Sequence, residues 1–145
     1  IPDKQTLLLR LLSGHMQTLL SESDELQQAE PLARLKEFVE FHIHQNHRRV
    51  DEVFVAYMEL RNLTPENFAE VETLRRAYEA KLEAILQAGV EAGVLRLRDV
   101  RITARALIAM LNGVNTWFRE GGALSLTDVQ AIYWDLVRAA VGAPA

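Results

Sequence analysis

The chain has 145 residues, of which 49% are hydrophobic, and this is enough apolar sequence to bury the core of one domain. It contains no cysteine, which excludes disulfides, thiolate metal ligands and a cysteine nucleophile. The formal net charge of -4, with basic residues dispersed among acidic ones, disfavours binding along a phosphate backbone. No apolar stretch is long enough to span a bilayer and no signal peptide is evident, so we expect a cytoplasmic protein that makes no membrane contact.

Apolar residues recur at helical spacing along the chain, and this pattern predicts an all-α bundle of about six helices. Capping residues set the expected boundaries, among them Asp3, Pro31 after Glu30, and Ser125 with an acidic residue three positions on. The predicted helices run from about Asp3 to Ser21, Pro31 to His47, Asp51 to Arg61, Thr64 to Ala92, Asp99 to Glu120 and Ser125 to Gly142.

Three of the four histidines fall within the stretch FHIHQNHRR, a density that is typical of metal sites. On a helix that turns by about 100° per residue, His42 faces the apolar side, His44 the opposite side, and His47 a third direction. A metal ion needs converging ligand nitrogens, so this spacing predicts no metal site. We interpret His44 and His47 as surface residues. For His42 two interpretations stay open, a hydrogen-bonded core histidine or part of a pocket wall.

The last two predicted helices carry more apolar surface than one core can cover. The fifth, RITARALIAMLNGVNTWFRE, is apolar on two sides, and such a helix must be buried on both. The predicted core stripe of the last helix comprises Val129, Ile132, Tyr133, Leu136 and Ala140. Trp134 falls on the other side, which favours an interface, with an isolated surface aromatic as the alternative.

A set of short motifs then follows in a fixed order. They are ELRNLTPEN, the helix end GVEAG followed by an aspartate, the Trp-aromatic pair in NTWF, and GALS before the last helix. Together with the leucine-rich IPDKQTLLLRLL, in which Ile1 stands where an aromatic is usual, this order resembles the C-terminal ligand-binding and dimerisation domain of TetR-family transcriptional regulators. The resemblance covers almost the whole chain, so residues 1–145 are expected to form that single domain. The family reads DNA through an N-terminal helix-turn-helix domain, which is absent from this sequence, so operator DNA is expected to be bound only through that missing domain.

The resemblance implies a homodimer in which the last two helices pair with their copies. The interface residues expected on this basis are Ala106, Gly113, Ile132, Trp134, Leu136 and Ala140. It also implies an inducer pocket between the first five helices, with the first helix as a lever that faces the pocket through Leu8, Leu12, Met16 and Leu19. The residues expected to line the pocket are Met16, Phe38, His42, Gln45, Phe54, Tyr57, Tyr78, Met110 and Trp117.

Similar subgroups of the family often respond to coenzyme A thioesters, so the resemblance implies an acyl-CoA or fatty acid that releases a repressor from its operator. The candidate basic residues for CoA phosphates are Arg48, Arg49, Arg75 and Arg76. No cofactor is predicted. A purely structural helical dimerisation module without ligand stays open as an alternative. A small helical enzyme is a weaker one, because the sequence shows no set of nucleophile, base and orienting residue.

Overall fold

The computed structural model describes residues 3–144, apart from the side chain of Tyr57, and folds these residues into six α-helices without a strand. The helices are α1 (Lys4–Ser23), α2 (Pro31–Arg48), α3 (Val50–Glu59), α4 (Pro65–Glu91), α5 (Val100–Asn112) and α6 (Leu126–Ala140). Short 3-10 turns follow α3 at Leu60–Asn62 and α5 at Gly113–Thr116. The predicted all-α bundle is confirmed. Within the described range no helix is both long and apolar enough to cross a membrane.

The helix starts follow the capping residues of the sequence. Four helices begin after a residue whose side chain accepts a hydrogen bond from the backbone N–H three residues further on: Asp3, Thr64, Asp99 and Ser125. Glu30 caps α2 in a similar way, ahead of a proline in the first turn. These caps satisfy N–H groups that would otherwise lack a partner at these five helix starts, so the predicted starts of these helices are confirmed. Helix α3 begins at Val50 without a side-chain cap.

The fifth helix ends earlier than its apolar pattern predicts. The α-helix stops at Asn112 and continues as a 3-10 turn only to Thr116, so the expectation of a helix to Glu120 is wrong. Gly113 and Asn115 favour an end of the α-helix at this point because glycine and asparagine are poor helix formers. The Thr116 hydroxyl also donates to the Gly113 carbonyl at 2.7 Å, which stabilises the tighter turn.

The long helix α4 forms the centre of the bundle. Its 27 residues span about 40 Å at about 1.5 Å per residue, and α1, α2 and α5 pack along it. Helix α6 packs on α2. The largest fully buried side chains include Leu35, Phe38, Ile43, Leu82, Leu86 and Leu111. A separate small cluster joins α1 to the start of α4 through Leu8, Leu12, Leu63 and Val71.

The motif GVEAG at the end of α4 is explained by its two glycines. A Cβ on Gly89 would lie 2.4 Å from Cδ1 of Leu95, so only glycine admits the chain that folds back over the helix end. Gly93 adopts a φ of 75°, a left-handed conformation that favours glycine and ends the helix. The turn therefore places Leu95 in the main core.

Helix α6 faces the core with a different side from the one predicted. Val129 and Val137 are fully buried, while Trp134 is half-buried and packs against the core. Ile132 and Leu136 are 46% and 50% exposed, and Ala140 is also exposed. The predicted core stripe was therefore wrong at these three positions, as was the outward direction of Trp134. Both sides of α6 are apolar, and packing on α2 decides which one is buried.

Candidate ligand-binding cavity

A cavity of about 400 Å³ lies between the first five helices and the 3-10 turn after α3. This volume is within the range of about 300 to 1,000 Å³ that is typical of small-molecule sites. Its apolar lining comprises Leu12, Met16, Leu19, Val53, Ala56, Leu60, Val71 and Ile108. The polar and charged lining comprises His15, His42, Asn46, Arg61, Glu72, Arg75, Tyr78, Glu79 and Asn112. Arg61 and Arg75 are exposed, so the cavity reaches solvent beside them.

His42 belongs to a hydrogen-bonded network on one wall of this cavity. Its Nδ1 lies 2.8 Å from the Tyr78 hydroxyl, and its Nε2 lies 2.7 Å from Oδ1 of Asn112. Asn46 donates from Nδ2 to the same Asn112 oxygen at 2.7 Å. Because an amide oxygen only accepts, the network fits a His42 ring that donates from Nε2–H and accepts the Tyr78 hydroxyl at Nδ1. Both ring nitrogens are then satisfied within the protein.

The network is uncharged near neutral pH. Burial lowers the pKa of His42 to about 4, although the hydrogen bond to Asn112 acts in the opposite direction. Burial also raises the pKa of the Tyr78 hydroxyl well above its usual value of 10. The imidazole and the phenol therefore both remain neutral, and this part of the wall offers dipoles without net charge.

Phe38 supports the network from behind. Its ring stacks on His42 at a centroid distance of 6.0 Å and an interplanar angle of 16°, and it lies 5.4 Å from the Tyr78 ring. Phe38 is 1% exposed and outside the lining of the cavity. His42 is thus both a hydrogen-bonded core histidine and part of the cavity wall, so the two interpretations left open by the sequence are compatible.

His15 on α1 is a second histidine of the wall, and sequence reasoning missed it. The residue is 8% exposed, and its Nδ1 has no hydrogen-bond partner within the described part of the chain. Oε2 of Glu52 lies 3.8 Å away, beyond hydrogen-bond distance. Burial lowers the pKa of His15, while the Glu52 carboxylate raises it in part. The sequence did contain a signal for it, because His15 lies on the same side of α1 as Leu12 and Leu19.

Only some of the residues predicted to line the pocket lie in the cavity lining. Met16, His42 and Tyr78 are brought together in the lining. Gln45 is buried but outside the lining, and Met110 is half-buried against the core. The side chain of Tyr57 lies outside the described residues.

Phe54 and Trp117 are 64% and 49% exposed, and both lie outside the cavity lining. Helix α3 turns Val53 and Ala56 inward, which leaves Phe54 on its outer side. Trp117 follows the early end of α5, so its helical phase does not continue that of Met110. Instead its ring stacks on Tyr133 at a centroid distance of 6.4 Å.

The histidines of FHIHQNHRR point in three directions, as predicted. His44 is exposed, and Nε2 of His47 lies 3.1 Å from Oε1 of Glu120. Among the residues that the structure describes, no group of three or more His, Asp or Glu side chains is arranged to hold a metal ion.

The four arginines considered for CoA phosphates have different surroundings. Only Arg75 lines the cavity, and its Nη1 lies 3.0 Å from Oε2 of Glu72. Arg49 is paired with Glu22, and Arg48 and Arg76 are exposed away from the lining. Arg61 was not singled out in the sequence, yet it contributes to the cavity at the solvent side.

A family model described as Tetracyclin repressor-like, C-terminal domain, matches residues 28–141. No curated protein matches the chain. A bacterial regulatory protein in the tetR family from Rhodococcus RHA1 is 24% identical with a TM-score of 0.91, over 98% of this chain and 76% of that one. AibR, in complex with isovaleryl coenzyme A and operator DNA, is 22% identical with a TM-score of 0.82, over 98% of this chain and 77% of its own.

The TetR-family transcriptional regulator PfmR from Thermus thermophilus is 31% identical with a TM-score of 0.83, over 93% of this chain and 75% of PfmR. The family model covers most of the helical bundle, including the cavity walls formed by α2, α3, α4 and α5. The chain therefore belongs to the tetracyclin repressor-like C-terminal domain family of TetR-type regulators.

Proposed function

We propose that the chain is the effector-sensing and dimerisation domain of a TetR-type transcriptional repressor, and that its cavity binds an apolar small molecule. The observation that carries this proposal is the cavity of about 400 Å³ between α1, α2, α3, α4 and α5. Its lining combines apolar residues from α1, α3, α4 and α5 with polar groups at fixed positions, as ligand sites do. A dimerisation bundle without a ligand has no need for such a space, because packed interiors have few voids.

The proposed ligand class is an acyl-CoA thioester or a fatty acid. An acyl chain fits the apolar lining, and the exposed Arg61 offers positive charge at the solvent side for a carboxylate or a phosphate, beside Arg75, which is paired with Glu72. The isovaleryl coenzyme A in AibR supports this class by analogy of fold.

Helix α1 is the proposed lever. Leu12, Met16 and Leu19 line the cavity, whereas Leu8 packs in the small cluster at the start of α4. A ligand that binds one position of α1 more tightly than another shifts the equilibrium between them by its differential affinity. Operator release would follow when this shift reaches a helix-turn-helix domain ahead of α1.

The homodimer is proposed to form through the outer sides of α5 and α6. Ile102, Ile132 and Leu136 are 63%, 46% and 50% exposed, which is unusual for large apolar side chains on successive helices. Ala106 and Ala140 are exposed as well and would allow close approach. Trp134 is half-buried against the core and Gly113 lies in the 3-10 turn, so the larger side chains carry this proposal.

Thermal unfolding with decanoyl-CoA, decanoate and free coenzyme A tests the sensing function. Decanoyl-CoA or decanoate should raise Tm by several degrees at saturating concentration, because a ligand that binds only the folded state stabilises it, and coenzyme A alone should not. Ala56→Phe fills the cavity and should abolish the shift. Ala131→Phe adds the same ring to an exposed position of α6 and should leave the shift unchanged. A Tm that is unaffected by both acyl probes would contradict the proposal.

Light scattering at micromolar concentration tests the dimer. Leu136→Glu places a charge on the exposed apolar side of α6 and should convert the dimer to a monomer. Thr127→Glu adds the same charge to an exposed position elsewhere on α6 and should leave the dimer intact. A monomeric unsubstituted chain would refute the interface.

A further inference from the structure

We propose that His15, and not His42, is the residue that hydrogen-bonds the bound effector, and that the effector carries an uncharged oxygen, such as a thioester or ketone carbonyl or a hydroxyl, beside His15. This inference rests on the proposed sensing function and deepens it by assigning the polar contact within the cavity. It also narrows the ligand chemistry, since a purely hydrocarbon body would leave His15 without a partner.

His42 has no hydrogen-bonding capacity left for a ligand. Its two ring nitrogens are bonded to Tyr78 and Asn112, at 2.8 and 2.7 Å. A ligand that took Nδ1 would leave the Tyr78 hydroxyl unpaired in a buried position. A ligand that took Nε2 would break the bond to the Asn112 oxygen, and both losses are unfavourable. His42 therefore shapes the wall and holds α2, α4 and α5 together.

His15 has the opposite environment on the facing wall. It lines the cavity and is 8% exposed, and no hydrogen bond joins either of its ring nitrogens to a side chain that the structure describes. Nδ1 has almost no accessible surface, so Nε2 is the nitrogen that a bound molecule can reach. Buried polar atoms in proteins nearly always have a hydrogen-bond partner, so an unpaired nitrogen on a cavity wall indicates where a bound molecule supplies one. A neutral imidazole can donate to a carbonyl or accept from a hydroxyl, according to its tautomer.

The charges around His15 favour an uncharged ligand group. Oε2 of Glu52 lies 3.8 Å from Nδ1, so an anionic group bound to this imidazole would lie near a carboxylate. Arg49, the cation that influences His15, is already paired with Glu22. An anionic part of the effector is better placed near Arg61, at the solvent side of the cavity. The apolar part then packs on Leu12 and Met16, which flank His15 on α1.

Two matched probes test the assignment by calorimetric titration. Decanoyl-CoA has a thioester carbonyl, whereas S-decyl-CoA is a thioether that lacks this oxygen. The unsubstituted chain should bind decanoyl-CoA roughly threefold to tenfold more tightly, the range expected for one neutral hydrogen bond. His15→Leu should remove this preference, and His15→Gln should retain part of it because its amide reaches the position of Nε2. The ratio of two Kd values in one variant is insensitive to a general loss of stability.

Tyr78→Phe provides the counter-test, because it frees Nδ1 of His42 while the preference at His15 should persist. Equal affinities of the two probes for the unsubstituted chain, or a preference that survives in His15→Leu, would overturn the assignment of His15. Loss of the preference in Tyr78→Phe alone would assign the contact to the His42 network instead. If neither probe binds the unsubstituted chain, the proposed acyl-sensing function itself fails, and this outcome is distinct from binding without a preference.

Discussion

The cavity wall formed by α2, α4 and α5 differs from the wall formed by α1 and α3 in how its polar groups are satisfied. On the first wall, His42 is bonded to Tyr78 and Asn112, and Asn46 completes the network. On the second, Nδ1 of His15 has no partner within the described chain. Both histidines are more than nine-tenths buried, so burial alone does not explain the difference.

Under the proposed sensing function, this difference separates a structural wall from a responsive one. A closed network of neutral groups holds three helices in one arrangement, because moving any of them leaves a buried polar atom unpaired. An unpaired group gains free energy when a ligand supplies its partner, so ligand binding can act on α1. Helix α3, which faces α1, also exposes Phe54 and Met58 and starts without a side-chain cap hydrogen bond. Helix α3 is therefore the less strongly stabilised helix of this wall.

His42→Leu should have the largest effect on stability. It leaves the Tyr78 hydroxyl and the Asn112 oxygen without their shared partner, and we expect a loss of about 2–4 kcal/mol in the free energy of unfolding. Denaturant unfolding at neutral pH measures this loss. His44→Leu, at an exposed position on the same helix, should change stability by about 0.5 kcal/mol or less. Equal effects of the two substitutions would show that the network does not stabilise the fold.

Acidification should also lower the stability of the fold, mainly through His42 in the wall formed by α2, α4 and α5. The pKa of His42 is about 4 in the folded chain against 6.5 for an ordinary histidine, so the unfolded chain takes up the proton first. Stability is then complete above about pH 6.5 and falls as the pH approaches about 4, by about 3 kcal/mol from this group. The lowered pKa of His15 acts in the same direction.

Denaturant unfolding across this pH range measures the dependence. The slope of stability against pH should be smaller in His42→Leu than in the unsubstituted chain. Parallel slopes would mean that His42 is not held neutral by burial.

Tyr78→Phe should have an intermediate effect. The substitution keeps the ring that packs on Phe38 and His42 but leaves Nδ1 of His42 unpaired, so we expect a loss of about 1–2 kcal/mol. Tyr133→Phe is a suitable control, because the Tyr133 ring is half-buried and its hydroxyl has no hydrogen bond to any described residue. Comparable small losses of stability at both positions would indicate that the Tyr78 hydroxyl does not form a hydrogen bond with His42.

His15→Leu should have the smallest effect on stability, within about 0.5 kcal/mol of the unsubstituted chain in the absence of ligand, or slightly stabilising. It replaces an unpaired buried nitrogen by an apolar group, and no partner is left behind. Denaturant unfolding of His15→Leu and of His42→Leu compares the same replacement of histidine by leucine in the two walls. A loss of about 2 kcal/mol or more in the free energy of unfolding is the size expected when a buried group loses its hydrogen-bond partner. Such a loss would show that His15 already has a partner in the free protein, and the two walls would then not differ.

Local sequence signals determined the elements of the fold. Caps such as Asp3 and Ser125 act over three residues, so the helix starts could be predicted from neighbouring positions alone. Helical phase separated His42, His44 and His47 for the same reason, since all three lie on one helix. The order of motifs from ELRNLTPEN to GALS indicated the family, which the match over residues 28–141 confirms.

Tertiary packing determined which side of each helix is buried and which residues form hydrogen bonds between helices. Helix α6 is apolar on both sides, and contact with α2 buries Val129 and Val137 while Ile132 stays exposed. Two partners of His42, Tyr78 and Asn112, are 36 and 70 residues away in the chain, a distance at which helical phase carries no information. His15 gave the same apolar-face signal as His42, yet only the arrangement of five helices makes one a satisfied core residue and leaves the other unpaired. Hydrogen bonds between distant helices depend on where the helices meet, whereas capping and phase depend only on adjacent residues.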